Sequence, residues 1–381
     1  MIATTPSALH PLNADTIAVL AESLSGATIV GIGESTRFSH ETFSTRELVT
    51  RALIKDYGFR TLAVQDTAGV GAAIDRYVSG GEGNGVEALG NAWRPWRTEE
   101  MVGALDWVRE FNRENPDDRV RVIGVKPVLA SADDYDAVLD AVRGHAPERL
   151  AEVAARLDPI RTAHVLDEHV QRARGVHPGR PFVEQAREAA ALVAQLPEVG
   201  ESVLARMDSI VEYHAHSVAG RGSYAGEAEL WAQTIVEDVE RTGARVVYWD
   251  GISHVSAAPS VFGLGASAGS QATVGSVLRA RFGRAYASVA IGFHHGDLGV
   301  ANVPAPAADF LDAALGDAGL SELWVDLRTD PMPGPAKLRV ISGVYDPVRD
   351  ADEHLGVSDL PEAFDVLVHI REVSAVRWLS S

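Results

Sequence analysis

The chain has 381 residues, 46% of them hydrophobic and 23% charged, enough to bury a large core, either as one big α/β domain or as a main domain with a smaller insert. Its formal net charge of −19 is spread over many Asp and Glu and is not offset by any basic stripe, so nucleic acid and anionic membrane surfaces are excluded as expected partners. The sequence contains no cysteine, which rules out disulfides, thiolate catalysis and Cys-ligated zinc or iron–sulfur clusters and leaves His, carboxylates, hydroxyls, Lys and Arg to carry any chemistry. The segment after Met1 has neither a basic n-region nor an apolar h-region, and no apolar run is long enough to span a bilayer, so the expected location is the cytoplasm.

In chain order, a first buried strand is expected over Ala27 to Gly33, followed by the polar loop Glu34-Ser35-Thr36-Arg37. A helix begins near His40 and ends before Gly58, and a second strand runs from Thr61 to Gln65. The loop Ser79 to Arg97 holds several glycines and then Trp93, Pro95 and Trp96. Thr98 is a good N-cap, with Glu99 and Glu100 in the first turn of a helix through Trp107 and Phe111. A third strand spans Val120 to Val125. From 131 to 242 strand-like runs vanish and Ala, Glu, Arg and Leu dominate at helical spacing. This predicts a helical insert, including a helix from Arg180 to Gln195 whose Val183, Ala186, Ala190 and Val193 form a packing face. Strands return at Arg245 to Trp249 and Ala285 to Gly292, separated by a Gly, Ala and Ser-rich stretch, Ala257 to Ser270, that reads as a mobile loop. The alternation predicts an α/β core with a mostly parallel sheet, built from residues 1–130 and 243–381 around the insert.

Ligands of open parallel sheets bind outside the carboxyl ends of the strands, and those positions are polar here. They are Glu34 and Arg37 after the first strand, Gln65 and Asp66 after the second, Lys126 after the third, Asp250 and His254 after the fourth, and His294 and His295 after the fifth. Carboxylates, imidazoles and a guanidinium at one rim suit acid/base chemistry, because low-dielectric walls and mutual charges move pKa values toward neutrality. Gly31 and Gly33 do not make a dinucleotide fingerprint: Thr36 stands where the third glycine belongs, and Glu34 would face a pyrophosphate. The adjacent pairs His40/Glu41 and His294/His295 diverge on regular structure, so no metal and no cofactor is expected. His164, His169, His214 and His216 fall in the insert and read as surface residues.

The order of these features resembles the erythromycin esterase family. The resemblance rests on Gly33-Glu34-Ser35-Thr36, a helix with Glu41, Phe43 and Arg46, Tyr57-Gly58-Phe59, and Asp75-Arg76-Tyr77-Val78 with Gly80. It continues through Trp93, Trp96, Thr98 and Glu99, then Trp107, Arg109 and Asn112, then Val246 to Trp249 with His254, and finally Gly275, Leu278, Gly283 and Tyr286. It implies a three-layer core with a helical subdomain and, in esterase members, metal-independent opening of a macrolactone by water. Glu34 and Arg46 match family active-site positions, but Arg37 replaces the family's water-activating histidine. Gln65 replaces a Glu, Lys126 an Asp and Gly251-Ile252 a His-Asn pair, while His254 matches the second histidine of that motif.

A guanidinium cannot accept a proton near neutral pH, so Arg37 can bind an anion or polarise a carbonyl but cannot act as general base. The expectation is therefore a remodelled enzyme of specialised metabolism that acts on a bulky, apolar natural product by cyclisation, elimination or isomerisation. Glu34, Arg37, His40, Arg46 and His254 would be catalytic; Gln65, Asp66, Trp93, Trp96, Lys126, Asp250 and His294 would bind the substrate. The alternatives are hydrolysis with a relocated base, His40 or His254, and a non-catalytic ligand-binding or self-resistance protein.

Overall fold

The computed structural model describes residues 9–126, 130–177, 179–196, 199–221, 227–262, 269–341, 345–350 and 354–380. The central part of the expected loop 257–270 lies outside the described residues. The chain forms two compact units, Val128–Tyr224 and the remainder.

In the larger unit seven strands carry the sheet: β1 (Ile29–Glu34), β2 (Phe59–Thr67), β3 (Arg121–Lys126), β4 (Arg245–Gly251), β5 (Tyr286–Asp297), β6 (Glu322–Asp326) and β7 (Val366–Val373). Their order is β6-β7-β5-β1-β4-β2-β3. All neighbours are parallel except β6, which runs antiparallel to β7. Two short segments, His10–Pro11 and Asn302–Val303, add antiparallel pairs to β6 and β5. Five strands were expected; β6 and β7 were not, although Val366 to Ile370 is apolar apart from His369, the kind of run a parallel strand needs.

The helices follow local rules. α1 (His40–Tyr57) starts where the Ser39 hydroxyl accepts from Thr42 N–H at 3.1 Å and stops at Gly58, whose φ of +71° is the left-handed position that ends helices. α2 (Ala68–Val78) follows β2, and α3 (Glu99–Glu114) is capped by Thr98, whose Oγ1 accepts from Met101 N–H at 3.1 Å. Strand alternation then builds three layers. Val30, Ile32, Leu62, Val64, Val247 and Trp249 meet α1, α2 and α3 on one face; Ile29, Ala63 and Tyr248 turn to the other. That second face is covered by α4 (Glu227–Thr242), through Trp231, Ala232 and Ile235, and by the single turn α5 (Ile252–Val255). Among the described residues no helix is long and apolar enough to cross a membrane.

Helix α4 corrects the expected end of the insert. The sequence placed 227–242 with the helical segment, whereas it belongs to the sheet unit, because an apolar stripe at helical spacing does not specify which neighbour it covers.

The smaller unit packs Tyr135, Val142, Ile160, Phe182, Ala186, Val193 and Ile210 into its own core. Its expected helix over 180–195 is present as Phe182–Val193. Two of its histidines are not surface residues. His214 is fully buried, with Nε2 2.8 Å from Tyr135 Oη, and His164 lies 3.3 Å from the same oxygen and stacks on Tyr213 with ring centroids 4.3 Å apart. Burial disfavours the imidazolium and pulls His164 down to about 4 and His214 to about 3.

Both folded values lie below the unfolded one near 6.5, so the stabilisation they allow is complete above that pH and is lost as the pH falls toward the folded values, at roughly 1.4 kcal/mol per unit of pKa difference. Helical circular dichroism melts between pH 8 and 4 should give a constant Tm above pH 7 and a falling one below 6.5. His214→Gln, which can still bond Tyr135, should flatten the acid slope.

Candidate active site

The sheet's order reverses on the two sides of β1. The chain leaves it toward β2 and β3 on one side and reaches β5 and β7 on the other, so the crevice at the carboxyl end of β1 is the topological switch point. Glu34 ends that strand, in register with Gly251 of β4 and Ile291 of β5. Gly31 and Gly33 are required there because α5 crosses the strand: a Cβ at Gly33 would lie 2.7 Å from Ile252 Cα, and one at Gly31 would lie 2.4 Å from Tyr286 Oη.

The Glu34 carboxylate is paired with Arg46 of α1, and each side chain is only 1% exposed. Three rings surround the Arg46 guanidinium, Trp249, Phe43 and Trp96, with centroids 4.5, 4.8 and 5.0 Å from Cζ. Burial pushes the Glu34 carboxyl above its ordinary range against the opposing pull of Arg46 and Arg37. Arg37, one turn of chain further, approaches Glu34 with Nε 3.9 Å from Oε1. Its Nη2 donates to Asp250 Oδ1 at 2.7 Å and to Gln65 Oε1. Asp250 also accepts from the Tyr248 hydroxyl and from Gly251 N–H at 2.6 Å. Gly251 is where the Arg37 guanidinium lies, since a Cβ there would sit 3.2 Å from Nη1.

A wider ring surrounds this centre. The Arg37 guanidinium lies 4.7 Å from the Trp93 ring centroid, and Lys126 Nζ lies 4.9 Å from Trp93 and 5.2 Å from Trp231. Trp231 faces the His254 imidazole with centroids 5.2 Å apart. Burial lowers the His254 pKa, with Asp250 opposing the shift, so its imidazole is neutral at pH 7. Glu34, Arg37, Arg46, Gln65, Trp93, Lys126, Asp250 and His254 therefore surround one strand-end region.

The erythromycin esterase family model matches residues 54–373, most of the chain. The chain belongs to the erythromycin esterase family. Three solved structures of the same fold agree along nearly the whole length. A Bacillus cereus protein is 19% identical with a TM-score of 0.65, covering 98% of this chain and 97% of its own. A succinoglycan biosynthesis protein has the same identity and TM-score, with 97% and 95% covered. A mutant of erythromycin esterase EreC, in its open conformation, is 16% identical with a TM-score of 0.58, covering 96% and 95%. These likenesses establish the erythromycin esterase-like α/β fold with its helical region.

Other residues singled out in the sequence are used differently. His40 turns its Nδ1 to Glu100 Oε1 at 2.9 Å, a carboxylate that also accepts from Arg377 N–H, and its side chain is 41% exposed. His294 pairs with His295, Nδ1 to Nδ1 at 2.9 Å, and its backbone carbonyl accepts from Arg339. It thereby joins a separate buried group of Arg339, Asp350, Asp312 and His369, in which burial raises Asp312 to about 7 and lowers His369 to about 3. Asp66 holds the tryptophan loop, accepting from Trp93 N–H at 2.8 Å. Trp96 is buried, walls Arg46 and donates Nε1–H to the Gln65 carbonyl at 3.1 Å. Trp231 escaped the sequence reading because its helix had been assigned to the insert. Its only signal was its apolar spacing with Ile235.

Arg46→Met should leave Glu34 buried without its counter-charge and destabilise the protein by roughly 3 kcal/mol or more. Glu34 would then titrate well above the unfolded value, so stability should recover as the pH falls and the neutral carboxyl forms. Urea unfolding at pH 5 and pH 8 reads both effects, and Glu34→Gln/Arg46→Met should lose less than the sum of the single substitutions.

Proposed function

We propose that this member of the erythromycin esterase family is an enzyme of specialised metabolism. In this reading it acts on a bulky, mainly apolar natural product of polyketide or macrolactone type by cofactor-independent acid/base chemistry, with a cyclisation, elimination or isomerisation as the outcome. The observation that carries the reading is the bonding of Arg37. A guanidinium fixed by Asp250 and Gln65 beside the Glu34–Arg46 pair occupies the region where the family resemblance puts a water-activating imidazole, and it has no lone pair with which to take a proton from water. What it offers is a fixed positive charge for a carbonyl or developing oxyanion. The proton-accepting group is His254, kept neutral by burial and held against Trp231. Glu34, its affinity for protons raised by burial, is the candidate to return one.

Hydrolysis is the second reading, and the same neutral imidazole of His254 favours it as a relocated base. Incubation with macrolactones and with the products of neighbouring biosynthetic genes, followed by mass spectrometry, separates the outcomes. Unchanged mass with altered retention, or loss of one water, supports the proposal; gain of one water makes the protein a hydrolase; binding without turnover makes it a binder. Arg37→Ala, Glu34→Gln and His254→Ala should each reduce turnover by about 100-fold or more, and intact turnover in Arg37→Ala and Glu34→Gln would refute the site. Because the His254 pKa lies below its ordinary value, kcat/KM should be level from pH 8 to 6.5 and decline only at lower pH, as the imidazole takes up a proton.

A further inference from the structure

We propose that Lys126 anchors an oxyanion of the substrate, a carboxylate or phosphate monoester carried on an apolar body. The inference rests on the reading that the strand-end region around Glu34 and His254 receives the substrate, and it adds the substrate's charge.

The cations of this region differ in one respect. Arg37 has Asp250 and Arg46 has Glu34. Lys126, the last residue of β3, is half-buried and makes no ion pair among the described residues. The chain carries 53 acidic side chains against 34 Lys and Arg, so an ammonium without a carboxylate is not explained by a shortage of acids. Instead, the Lys126 ammonium lies near two indoles, 4.9 Å from the Trp93 centroid and 5.2 Å from that of Trp231. Ring faces attract the charge but accept none of its three N–H bonds through oxygen lone pairs, so the ammonium loses water on the ring sides and retains donor capacity elsewhere. A substrate oxyanion supplies the missing acceptors, and the indoles offer apolar surface to the body that carries it.

The anchor is also fixed relative to the reacting groups. Asp66 holds Trp93 by its backbone, and the Arg37 guanidinium lies 4.7 Å from the same ring. Trp231, the other indole, faces His254. An anion held by Lys126 is thereby placed on a wall shared with both the guanidinium and the imidazole. Orientation of this kind is what a region built for proton transfer on a large substrate requires.

The test is a titration of the full chain with octanoate, octyl phosphate, methyl octanoate and octylamine, followed by calorimetry and tryptophan fluorescence at pH 7.5. At least one of the two anions should bind about tenfold more tightly than the ester and the amine, and the stronger of octanoate and octyl phosphate identifies the headgroup. Lys126→Met should weaken anion binding about tenfold and leave ester binding unchanged, while Lys126→Arg should keep anion binding within a few-fold. Equal affinity for anion and ester, anion binding unaffected by Lys126→Met, or no anion binding at about 10 mM would each overturn the proposal. Turnover is not read, so a failed anchor and a failed catalytic reading are separable: anion binding without any turnover would count against the chemistry alone.

Discussion

Glu34 ends the central parallel strand beside a guanidinium that three aromatic rings enclose, and the two side chains are almost wholly out of water. Such a pair adds little net stability, since desolvation of both charges offsets their attraction, but neither partner can be moved without stranding the other. The consequence is geometric. Arg46 ties α1 to the end of β1, Trp249 brings in β4, and Trp96 brings in the loop before α3. Trp249 and Trp96 have their own anchors, Nε1–H to Thr50 Oγ1 at 2.8 Å and to the Gln65 carbonyl at 3.1 Å. Four segments from three separate stretches of the chain are thereby registered against one carboxylate.

Around that fixed point Arg37, Gln65, Asp250 and Gly251 form one contact set. Gln65 and Asp250 both accept from Arg37, and the absence of a side chain at Gly251 leaves the space in which its guanidinium lies. A bulky residue at 251 would extend from a Cβ already 3.2 Å from Nη1, so a longer side chain and Arg37 compete for one volume. A carboxylate at 65 would add a second negative charge next to Asp250, whereas the neutral amide of Gln65 accepts the bond without it. The arrangement gathers a permanently charged guanidinium, its acceptors and, on the adjoining turn α5, the imidazole of His254 at one end of the sheet.

The glycines of β1 show how packing and chemistry share residues. Gly31 and Gly33 have the spacing that suggests a phosphate-binding turn, yet each is needed because α5 and Tyr286 lie directly on β1. The close approach they permit sets α5, and with it His254, against the strand that ends in Glu34. The same economy holds for Asp66, the penultimate residue of β2, which fixes the backbone of Trp93.

The sequence by itself determined the strands β1 to β5, the extent of α1 and the start of α3, and the strand ends that carry Glu34, Arg37, Gln65, Lys126, Asp250 and His254. These follow from local causes: runs of apolar residues, caps at Ser39 and Thr98, a left-handed glycine at 58. It also carried the family, through motifs whose order survives low overall identity. Only the tertiary structure decided which polar residues share a region. His40 lies one turn beyond Arg37 in sequence yet its ring is taken by Glu100; Asp250, 213 residues away, is bonded to Arg37. It likewise returned α4 to the sheet and Trp231 to the side of Lys126 and His254, and gathered the half-buried His164 and the fully buried His214 around Tyr135 in the helical unit. The physical reason is the same in each case. Periodicity and capping are properties of neighbouring residues, whereas the partner of a helix face or a charge is set by which segments the sheet order brings together.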